Sequence, residues 1–561
     1  MRKLTYLDGL FGLAFGVGLI FRFIGLGDAG LNNQEAEWAL QALDISRGGS
    51  VVGSEAGVVL WSSALFHLLG GSNFLARLFP ALIGAAVTLV PLFFRKLIGE
   101  RTALWLAFGL AFDPLLVGVS RQVDGLSLAI TFAGLAAGFW FWKKNLLFGI
   151  FLGLFIISGP SAWLGLVMLG VILLAGRLWG GKKGLPAGAE MTRPTNWKMI
   201  LLGLGVSLLV GGTLLMQVPT GLSGTLGGLV VFLQSWGMNP AGQTSALIVF
   251  MALAGYLLMP LTLGIVEMIQ SVQSRDGLGL RITTWVLCVV LVLVLYPSFE
   301  IRQFAWLSPF LWLLAARQIN RVEWTLWSGP KLFTSLVTLI MLIFLLINLN
   351  ALVRSLEPGL RLAAIGVSVL IILLASILVW WGCSLYEARS GLQMGALVVL
   401  LILTLGSSWR SAGLNGKQNL EMINQAPAFV DEDLLTDSIG DMSEWNTGER
   451  GYLEVVNLGV PSAALDWALR DVVDYEKLNS NIPGENPGFI IANSDSYVGQ
   501  TTPYTGQEFT LQETPIWSGL TAQQWIAWLM RRELPVSAET IILWARSDLF
   551  PGAVIDEAAG N

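Results

Sequence analysis

The sequence has little charge, almost no cysteine and a single histidine. Asp, Glu, Lys and Arg make up 13% of its 561 residues, whereas soluble domains carry about 25%, which argues against an ordinary soluble protein. The two cysteines, Cys288 and Cys383, lie in or at the end of apolar runs, so we expect neither a disulfide framework nor a thiol-metal site. His67 lies in the apolar stretch SSALFHLLGG, and one histidine cannot supply a histidine-rich metal site. The same position argues against a Ser-His-Asp triad.

Several catalytic and binding motifs are also missing. The sequence contains no phosphate-binding loop, no His-Glu-x-x-His zinc motif and no Gly-x-Ser-x-Gly elbow. It has no basic patch interleaved with aromatic residues, so we expect no nucleic-acid partner. What is present is apolar sequence, because 54% of the residues are hydrophobic and the mean hydropathy is +0.67.

Apolar runs of membrane-spanning length recur from residue 7 to about residue 408, which predicts an α-helical polytopic membrane protein. We predict about thirteen transmembrane helices. They cover residues 7–26, 76–94, 102–119, 125–142, 145–158, 161–178, 199–217, 244–270, 282–297, 304–317, 333–351, 362–381 and 391–408. The first run lacks a small-residue cleavage site and is read as a retained helix. Residues 57–70 are apolar but short, which predicts an interfacial or re-entrant helix.

Lys and Arg residues concentrate in alternate connections between these runs, and such connections face the cytoplasm. We therefore expect a plasma-membrane protein with a cytoplasmic amino terminus. The first long loop, residues 27–75 with its interfacial helices, then lies outside. The transmembrane domain is predicted to cover residues 1–410.

The composition becomes polar and acidic after residue 410, and we predict a soluble exterior α/β domain over residues 411–561. Three segments are predicted to be strands: YLEVVNLG, GFIIANSD and ETIILWARSD. Two segments, SAALDWALRDVVDYEKL and TAQQWIAWLMRREL, are predicted to be helices.

The first loop contains a short amphipathic helix that carries one acidic residue on its apolar face. In LNNQEAEWALQALDISRG, Glu37 falls on the polar face, whereas Glu35 falls in the middle of the apolar stripe. A buried carboxylate must be paired, protonated or used in chemistry. Asn32 with Glu35 three residues later also fits a capping box, and the sequence leaves the structural and the functional interpretation open.

Two further connections that are predicted to lie outside contain charged residues that are candidates for a functional site. Arg121 and Asp124 lie between the third and fourth spans, and they form either a local ion pair or a site where Asp124 orients a substrate or metal and Arg121 meets a phosphate. Asp113, just before Pro114, marks either a site within the membrane or a helix kink. Arg302, in YPSFEIRQFAWLSPFLWLLAA, either binds an anionic lipid phosphate or snorkels to the interface.

The first span, the helix of the first loop and the charged exterior connections follow one another along the chain. In this order they resemble the GT-C superfamily of membrane glycosyltransferases that use lipid-phosphate sugar donors. The resemblance is closest to the protein-mannosyltransferase-like branch, which includes flippase-activity-associated proteins. The segments LNNQEAEWALQALDISRG and GGSNFLARLFPALIGAAVTLVPLFFRKLIGERTALWLAFGLAFDPLLVGVSRQVDG carry it. YPSFEIRQFAWLSPFLWLLAA matches more weakly, while LDWALRDVVDYEKL and IILWARSDLF resemble the tail of the narrower group.

The resemblance implies transfer of a sugar, with inversion, from a polyprenyl-phosphate donor to a hydroxyl of a protein or glycolipid acceptor at the outer membrane face, in cell-envelope glycosylation. A carboxylate of the first loop would be the general base. On this basis Glu35 and Asp124 are the candidate catalytic residues. The candidate substrate-binding residues are Asn33, Gln34, Glu37, Arg121 and Arg302. Members of the family can hold a divalent cation, but we assign no metal ligands here.

The sequence departs from the family at one position. The acid that usually leads the motif is replaced by an amide, Gln34 or Asn33 according to the alignment, and an amide accepts no proton at neutral pH. Either Glu35 or Glu37 substitutes as the base, or the protein is a catalytically inactive scaffold or lipid-binding protein of an envelope-glycan pathway. A transporter or flippase is less well supported, because we find no matched halves in the sequence.

Overall fold

The computed structural model describes residues 6–50, 52–179, 196–237, 245–322, 328–353, 358–414, 420–424, 426–479, 486–494 and 503–550. The described part is mostly helical. Its amino-terminal helices are α1 Tyr6–Phe23, α2 Asn33–Ser46, α3 Ala56–Leu69, α4 Asn73–Ala86, α5 Pro91–Ile98, α6 Glu100–Ala111, α7 Pro114–Ser120, α8 Leu126–Phe141, α9 Asn145–Ile156 and α10 Pro160–Trp179.

The helices continue with α11 Trp197–Thr213, α12 Gly221–Ser235, α13 Ala246–Tyr256, α14 Leu258–Ser274, α15 Gly277–Leu295, α16 Ser308–Arg321, α17 Gly329–Leu352, α18 Pro358–Gly382 and α19 Leu385–Ser411. Short 3₁₀ helices cover Val87–Leu89, Ile301–Trp306 and Ser547–Leu549. The carboxyl-terminal part contains α20 Glu432–Thr447, α21 Ala463–Ala468 and α22 Ala522–Arg531.

Within the described residues, seven helices are long and apolar enough to cross a membrane, and nine if each bent pair counts as one span. This confirms a polytopic helical protein but not the count of thirteen. Several predicted spans are shorter apolar helices in the structure, among them α8, α9 and α11. The prediction treated every apolar run as a straight crossing, and the length of the run does not reveal where a helix breaks.

Proline explains both bent pairs. Pro114 cannot donate to the Leu110 carbonyl, and the chain bends by 52° between α6 and α7. Asp113 caps α7 by accepting from the Leu116 backbone N–H at 2.8 Å, and the buried Arg22 donates to the Leu110 and Ala111 carbonyls. The kink interpretation of Asp113 is therefore confirmed. Pro260 follows the second break, where α13 and α14 are bent by 94°.

The carboxyl-terminal domain contains a five-stranded mixed sheet. Its strands are β1 Val455–Leu458, β2 Tyr475–Leu478, β3 Phe489–Asn493, β4 Tyr504–Pro515 and β5 Val536–Arg546. The strand order is β2-β1-β3-β5-β4. β1 pairs in parallel with β2 and β3, whereas β5 pairs antiparallel with β3 and β4.

The predictions for this domain were partly right. The three predicted strands are present as β1, β3 and β5, and the second predicted helix is present as α22. The first predicted helix was wrong in its second half, because α21 ends at Ala468 and residues 475–478 form the edge strand β2. The division of the chain at residue 410 stays a prediction, although α19, the last long apolar helix, ends at Ser411.

The sheet domain lies against the amphipathic helix of the first loop. α21 packs on α2, and the Trp467 indole N–H donates to the Asn73 side-chain oxygen at 2.6 Å. The Phe429 backbone N–H donates to the Leu31 carbonyl at 3.3 Å. These contacts place the sheet domain and the predicted site residues at the same end of the helical part.

Candidate functional site

Glu35 lies at the centre of a buried hydrogen-bonding network. It forms the predicted capping box with Asn32 at the start of α2. Oε2 accepts from the Asn32 backbone N–H at 3.2 Å and from the Arg77 guanidinium at 2.7 Å. Oε1 accepts from Arg77 Nε at 3.0 Å and from the Val123 backbone N–H at 3.0 Å. The Glu35 residue is 3% exposed, so this is a buried, fully engaged ion pair.

These contacts do not support Glu35 as the general base. A base must be free to take a proton from a bound substrate, and both oxygens of Glu35 already accept bonds from protein donors. The structural interpretation that the sequence left open is therefore the one that fits, and the carboxylate joins α2 to α4 and to the loop before α8.

The other candidate residues on α2 lie in different surroundings from Glu35. The Asn33 side-chain oxygen accepts from Ser462 Oγ at 2.8 Å and from the Ala464 backbone N–H at 3.0 Å, so Asn33 binds the sheet domain, and its role in substrate binding stays a prediction. Gln34 is half-buried, and Glu37 is exposed. Their roles in substrate binding stay predictions.

Arg121 does not bind Asp124, which contradicts the predicted local pair. Its guanidinium donates to backbone carbonyls at the end of α1, including those of Ile24 at 2.8 Å and Gly25 at 2.9 Å. A cation at the carboxyl terminus of a helix satisfies carbonyls that have no partner within the helix. Arg121 is thus a helix cap, and the predicted phosphate-binding role is not supported.

Asp124 and Arg302 are brought together by the fold, although 178 positions separate them in the sequence. The Arg302 guanidinium donates to Asp124 Oδ2 through Nη1 and to Glu300 through Nε. Asp124 is 3% exposed, and the Arg302 side chain is 14% exposed. The charge of Arg302 is therefore held between two carboxylates, and both its binding of a lipid phosphate and its snorkelling to the interface stay predictions.

Glu55, which the sequence analysis did not select, completes this group. It occupies the cap position of α3 but makes no side-chain capping bond. Its residue is 7% exposed, and Oε2 is buried without a hydrogen-bond partner in the described part of the chain. Burial raises the pKa of Glu55 well above its ordinary value, and the negative charge of Asp124 adds to the rise. The charge of Arg302 and a backbone hydrogen bond from Gly125 lower the pKa of Glu55 but do not outweigh burial. We call Glu55, Asp124, Glu300 and Arg302 the Glu55 cluster.

Two glycines make room for the Glu55 carboxylate. A Cβ atom on Gly125 would lie 2.4 Å from Glu55 Oε2 and 1.8 Å from the Ser158 carbonyl oxygen. A Cβ atom on Gly159 would lie 2.3 Å from the same Glu55 oxygen. Gly159 also has a φ of +92°, which side chains rarely adopt. The backbone therefore approaches the carboxylate from both sides at distances that only glycine permits.

We expect Gly159→Ala to disturb the Glu55 cluster directly. The added methyl group would displace the Glu55 carboxylate, and the positive φ adds strain of about 1–2 kcal/mol. Thermal unfolding of the purified variant checks this expectation. Gly170→Ala is the matched control, because its Cβ would meet nothing within 4 Å. Gly170 lies inside α10, where alanine is the better helix former, so this variant should not lower the unfolding midpoint. An unchanged midpoint in Gly159→Ala would contradict the packing described here.

The missed residue had a weak sequence signal. Glu55 stands in GSEAG, directly before the short apolar run that became α3. An acid near the amino terminus of a helix commonly stabilises the helix dipole, and this structural explanation hid the other role of Glu55. Only the structure shows that its side chain turns away from the helix terminus towards Gly125 and Gly159.

The residues of this region do not form a recognisable metal site. Among the residues that the structure describes, no three His, Cys, Asp or Glu side chains are grouped so that they could hold a metal ion. Asp124 and Glu300 are also engaged by the Arg302 guanidinium.

No family model and no curated protein matches the sequence. Among solved structures, the chain is similar to ArnT from Cupriavidus metallidurans bound to undecaprenyl phosphate. The identity is 14%, the match covers 83% of this chain and 86% of that chain, and the TM-score is 0.52. The apo form of ArnT gives 15% identity, 84% and 86% coverage and a TM-score of 0.50. The Archaeoglobus fulgidus oligosaccharyltransferase with a tethered acceptor peptide gives 12% identity, 85% and 64% coverage and a TM-score of 0.39. The ArnT comparisons establish a shared fold.

Proposed function

Since the chain has the fold of GT-C membrane glycosyltransferases, we propose that it transfers a sugar from a polyprenyl-phosphate donor to an acceptor hydroxyl. The observation that supports this most is the Glu55 cluster. It combines a buried carboxylate that has an unpaired oxygen with an Asp124–Arg302 ion pair. Buried titratable groups with strongly shifted pKa values are typical of catalytic sites.

The proposed step needs one proton acceptor and one stabiliser of negative charge. The acceptor oxygen attacks the anomeric carbon while the bond from that carbon to the phosphate oxygen breaks, so the configuration inverts. Glu55 takes the hydroxyl proton, which replaces the predicted role of Glu35. The departing lipid phosphate keeps the bonding electrons, and the Arg302 guanidinium stabilises its charge. Asp124 holds Arg302 in place.

The donor is proposed to be held by the membrane itself. The long apolar helices supply a surface on which an isoprenoid chain can lie, and confinement of the donor at the membrane contributes through proximity. ArnT, which shares the fold, has been solved with undecaprenyl phosphate. We further propose that the reaction occurs at the outer face and that the acceptor is a protein or a glycolipid.

Mass spectrometry of lipid extracted from the purified protein tests this proposal. We expect a polyprenyl-phosphate sugar to co-purify with the wild-type chain, because the donor must occupy the site before transfer. Recovery of bulk phospholipid alone, together with no sugar transfer from any polyprenyl-phosphate donor, would contradict the proposal.

A catalytically inactive GT-C-fold scaffold is the second candidate. It is favoured by one observation, namely that the position of the usual leading acid is occupied by Asn33 or Gln34, while Glu35 is engaged in structure. A scaffold would bind the lipid without changing its covalent structure. Turnover, rather than binding, therefore separates the two functions.

The proposed base predicts a pH dependence. Because burial and Asp124 raise the pKa of Glu55 well above its ordinary value, Glu55 is protonated and inactive as a base over a wide acidic range. We therefore expect kcat/KM to rise with pH through that raised pKa. A pH–rate profile of the purified protein checks this. Activity that is flat from mildly acidic pH upwards, or that falls as pH rises, would exclude Glu55 as the base.

A further inference from the structure

The loop Arg121–Gly125, between α7 and α8, carries Asp124 and contacts several distant segments. Arg121 binds the end of α1 and Val123 binds Glu35. We propose that Gln122 and Asn424 are positioning residues, which couple the sheet domain to the orientation of Asp124. This inference rests on the proposed function, because the group that they orient belongs to the Glu55 cluster.

The coupling begins with a buried side-chain pair. Gln122 Nε2 donates to Asn424 Oδ1 at 2.9 Å and to the Ile423 carbonyl at 3.3 Å. Gln122 is 7% exposed, and both of its side-chain hydrogen bonds go to Ile423 and Asn424, while its Oε1 is buried without a partner in the described residues. The Asp124 backbone N–H donates in turn to the Gln122 carbonyl at 2.9 Å. A rotation of the Gln122 backbone would therefore move Asp124 relative to Arg302.

Close packing reinforces this contact. Ile423 is 1% exposed, and its Cδ1 lies where a Cβ on Gly118 would be, at 1.9 Å. Gly118 is in α7, three residues before the loop begins. The segment Leu420–Asn424 is thus seated on α7 by packing and on the loop by hydrogen bonds.

The same segment is fastened to the sheet domain. Glu421 accepts from Arg532 Nε at 2.9 and 3.1 Å, and it also accepts from the Tyr256 hydroxyl. The Arg532 guanidinium lies 4.2 Å from the centre of the Trp528 ring, and the Trp528 indole N–H donates to the Leu420 carbonyl at 3.2 Å. α22 and the residue after it therefore hold the segment that holds Gln122.

Loss of this contact should affect the reaction step more than substrate binding. Asp124 would still reach Arg302, but without the orientation that the Gln122–Asn424 pair supplies. A misplacement of about 1 Å at a reacting group can lower a rate by about 10²-fold. Because neither Gln122 nor Asn424 is proposed to touch the donor, KM should change little.

The test compares Asn424→Ala with Asn424→Asp in the full chain. Aspartate keeps an oxygen that accepts from Gln122, whereas alanine does not. We expect Asn424→Ala and Gln122→Ala each to lower kcat at least 10-fold with KM within twofold of wild type, and Asn424→Asp to retain most of the activity. The double alanine variant should be no worse than Gln122→Ala, because that substitution already removes the bonds from Gln122 to both Asn424 and Ile423.

Hydrogen–deuterium exchange of peptides covering residues 119–128 gives a readout that does not depend on turnover. Exchange should increase in both alanine variants and remain at the wild-type rate in Asn424→Asp. Equal behaviour of Asn424→Ala and Asn424→Asp in exchange, or an unchanged rate in both alanine variants, would overturn the inference. Absence of sugar transfer by the wild-type chain would contradict the proposed function. The exchange comparison would still show whether Gln122 and Asn424 order the loop Arg121–Gly125. Gln122→Ala replaces Asn424→Ala if the latter does not fold.

Discussion

Replacing Glu55 by glutamine is expected to slow sugar transfer severely while the protein remains folded. A positioned general base contributes about 10²–10⁴-fold to a rate, and glutamine cannot accept the hydroxyl proton. The fold should tolerate the change, because Glu55 Oε2 has no hydrogen-bond partner in the described residues and its charge is buried at a cost. The measurement is kcat of the purified variant with a polyprenyl-phosphate sugar donor, beside its thermal unfolding midpoint.

Glu476→Gln is the matched control for this experiment. Glu476 lies on the edge strand β2, is exposed and belongs to none of the candidate site residues, so its replacement should leave both kcat and the unfolding midpoint close to wild type. The rise of kcat/KM with pH should disappear in the residual activity of Glu55→Gln. Wild-type turnover in Glu55→Gln would exclude Glu55 as the base.

Replacing Glu35 by glutamine is expected to destabilise the protein severely. The change would leave the Arg77 guanidinium, whose side chain is 8% exposed, without its carboxylate at 2.7 Å. It would also weaken the bonds from Asn32 and Val123 to the carboxylate. Breaking a buried ion pair by removing one partner costs about 3–5 kcal/mol. Equilibrium unfolding of the purified variant measures this loss.

The same replacement separates the two roles considered for Glu35. If Glu35 is structural, stability falls strongly and any loss of activity follows the loss of folded protein. If Glu35 were the base, Glu35→Gln would unfold at the wild-type midpoint yet show no turnover. Such a stable, inactive variant would contradict the structural role assigned here.

The sequence was informative about elements whose pattern is local. The β-branched and aromatic runs around residues 455, 489 and 541 predicted three strands of the sheet correctly. β4 was missed because most of its residues are Thr, Gly, Gln and Glu, and such a polar segment gains its strand conformation from pairing with β5. β2 was assigned to a helix because Tyr475–Leu478 follows α21 closely, and strand propensity depends on neighbours that the sequence does not show.

Some individual residues of the site were predictable from the sequence, but their contacts with one another were not. Asp124 and Arg302 were each selected from their placement in the chain, but their pairing depends on packing between distant segments. Arg121 was selected for the same reasons as Arg302, yet it caps α1. The engagement of Glu35 with Arg77, and the opening that Gly125 and Gly159 leave for Glu55, likewise arise from long-range packing.

The most direct test of the account is a single-turnover reaction of the purified wild-type chain, in lipid discs, with a polyprenyl-phosphate sugar and an acceptor. Mass spectrometry would quantify the polyprenyl phosphate that is released and the glycosylated product. We expect equal amounts of the two with the wild-type chain and, within the time of one wild-type turnover, almost none of either with Glu55→Gln. Equal release by both proteins, or release by neither from any donor sugar, would contradict this account.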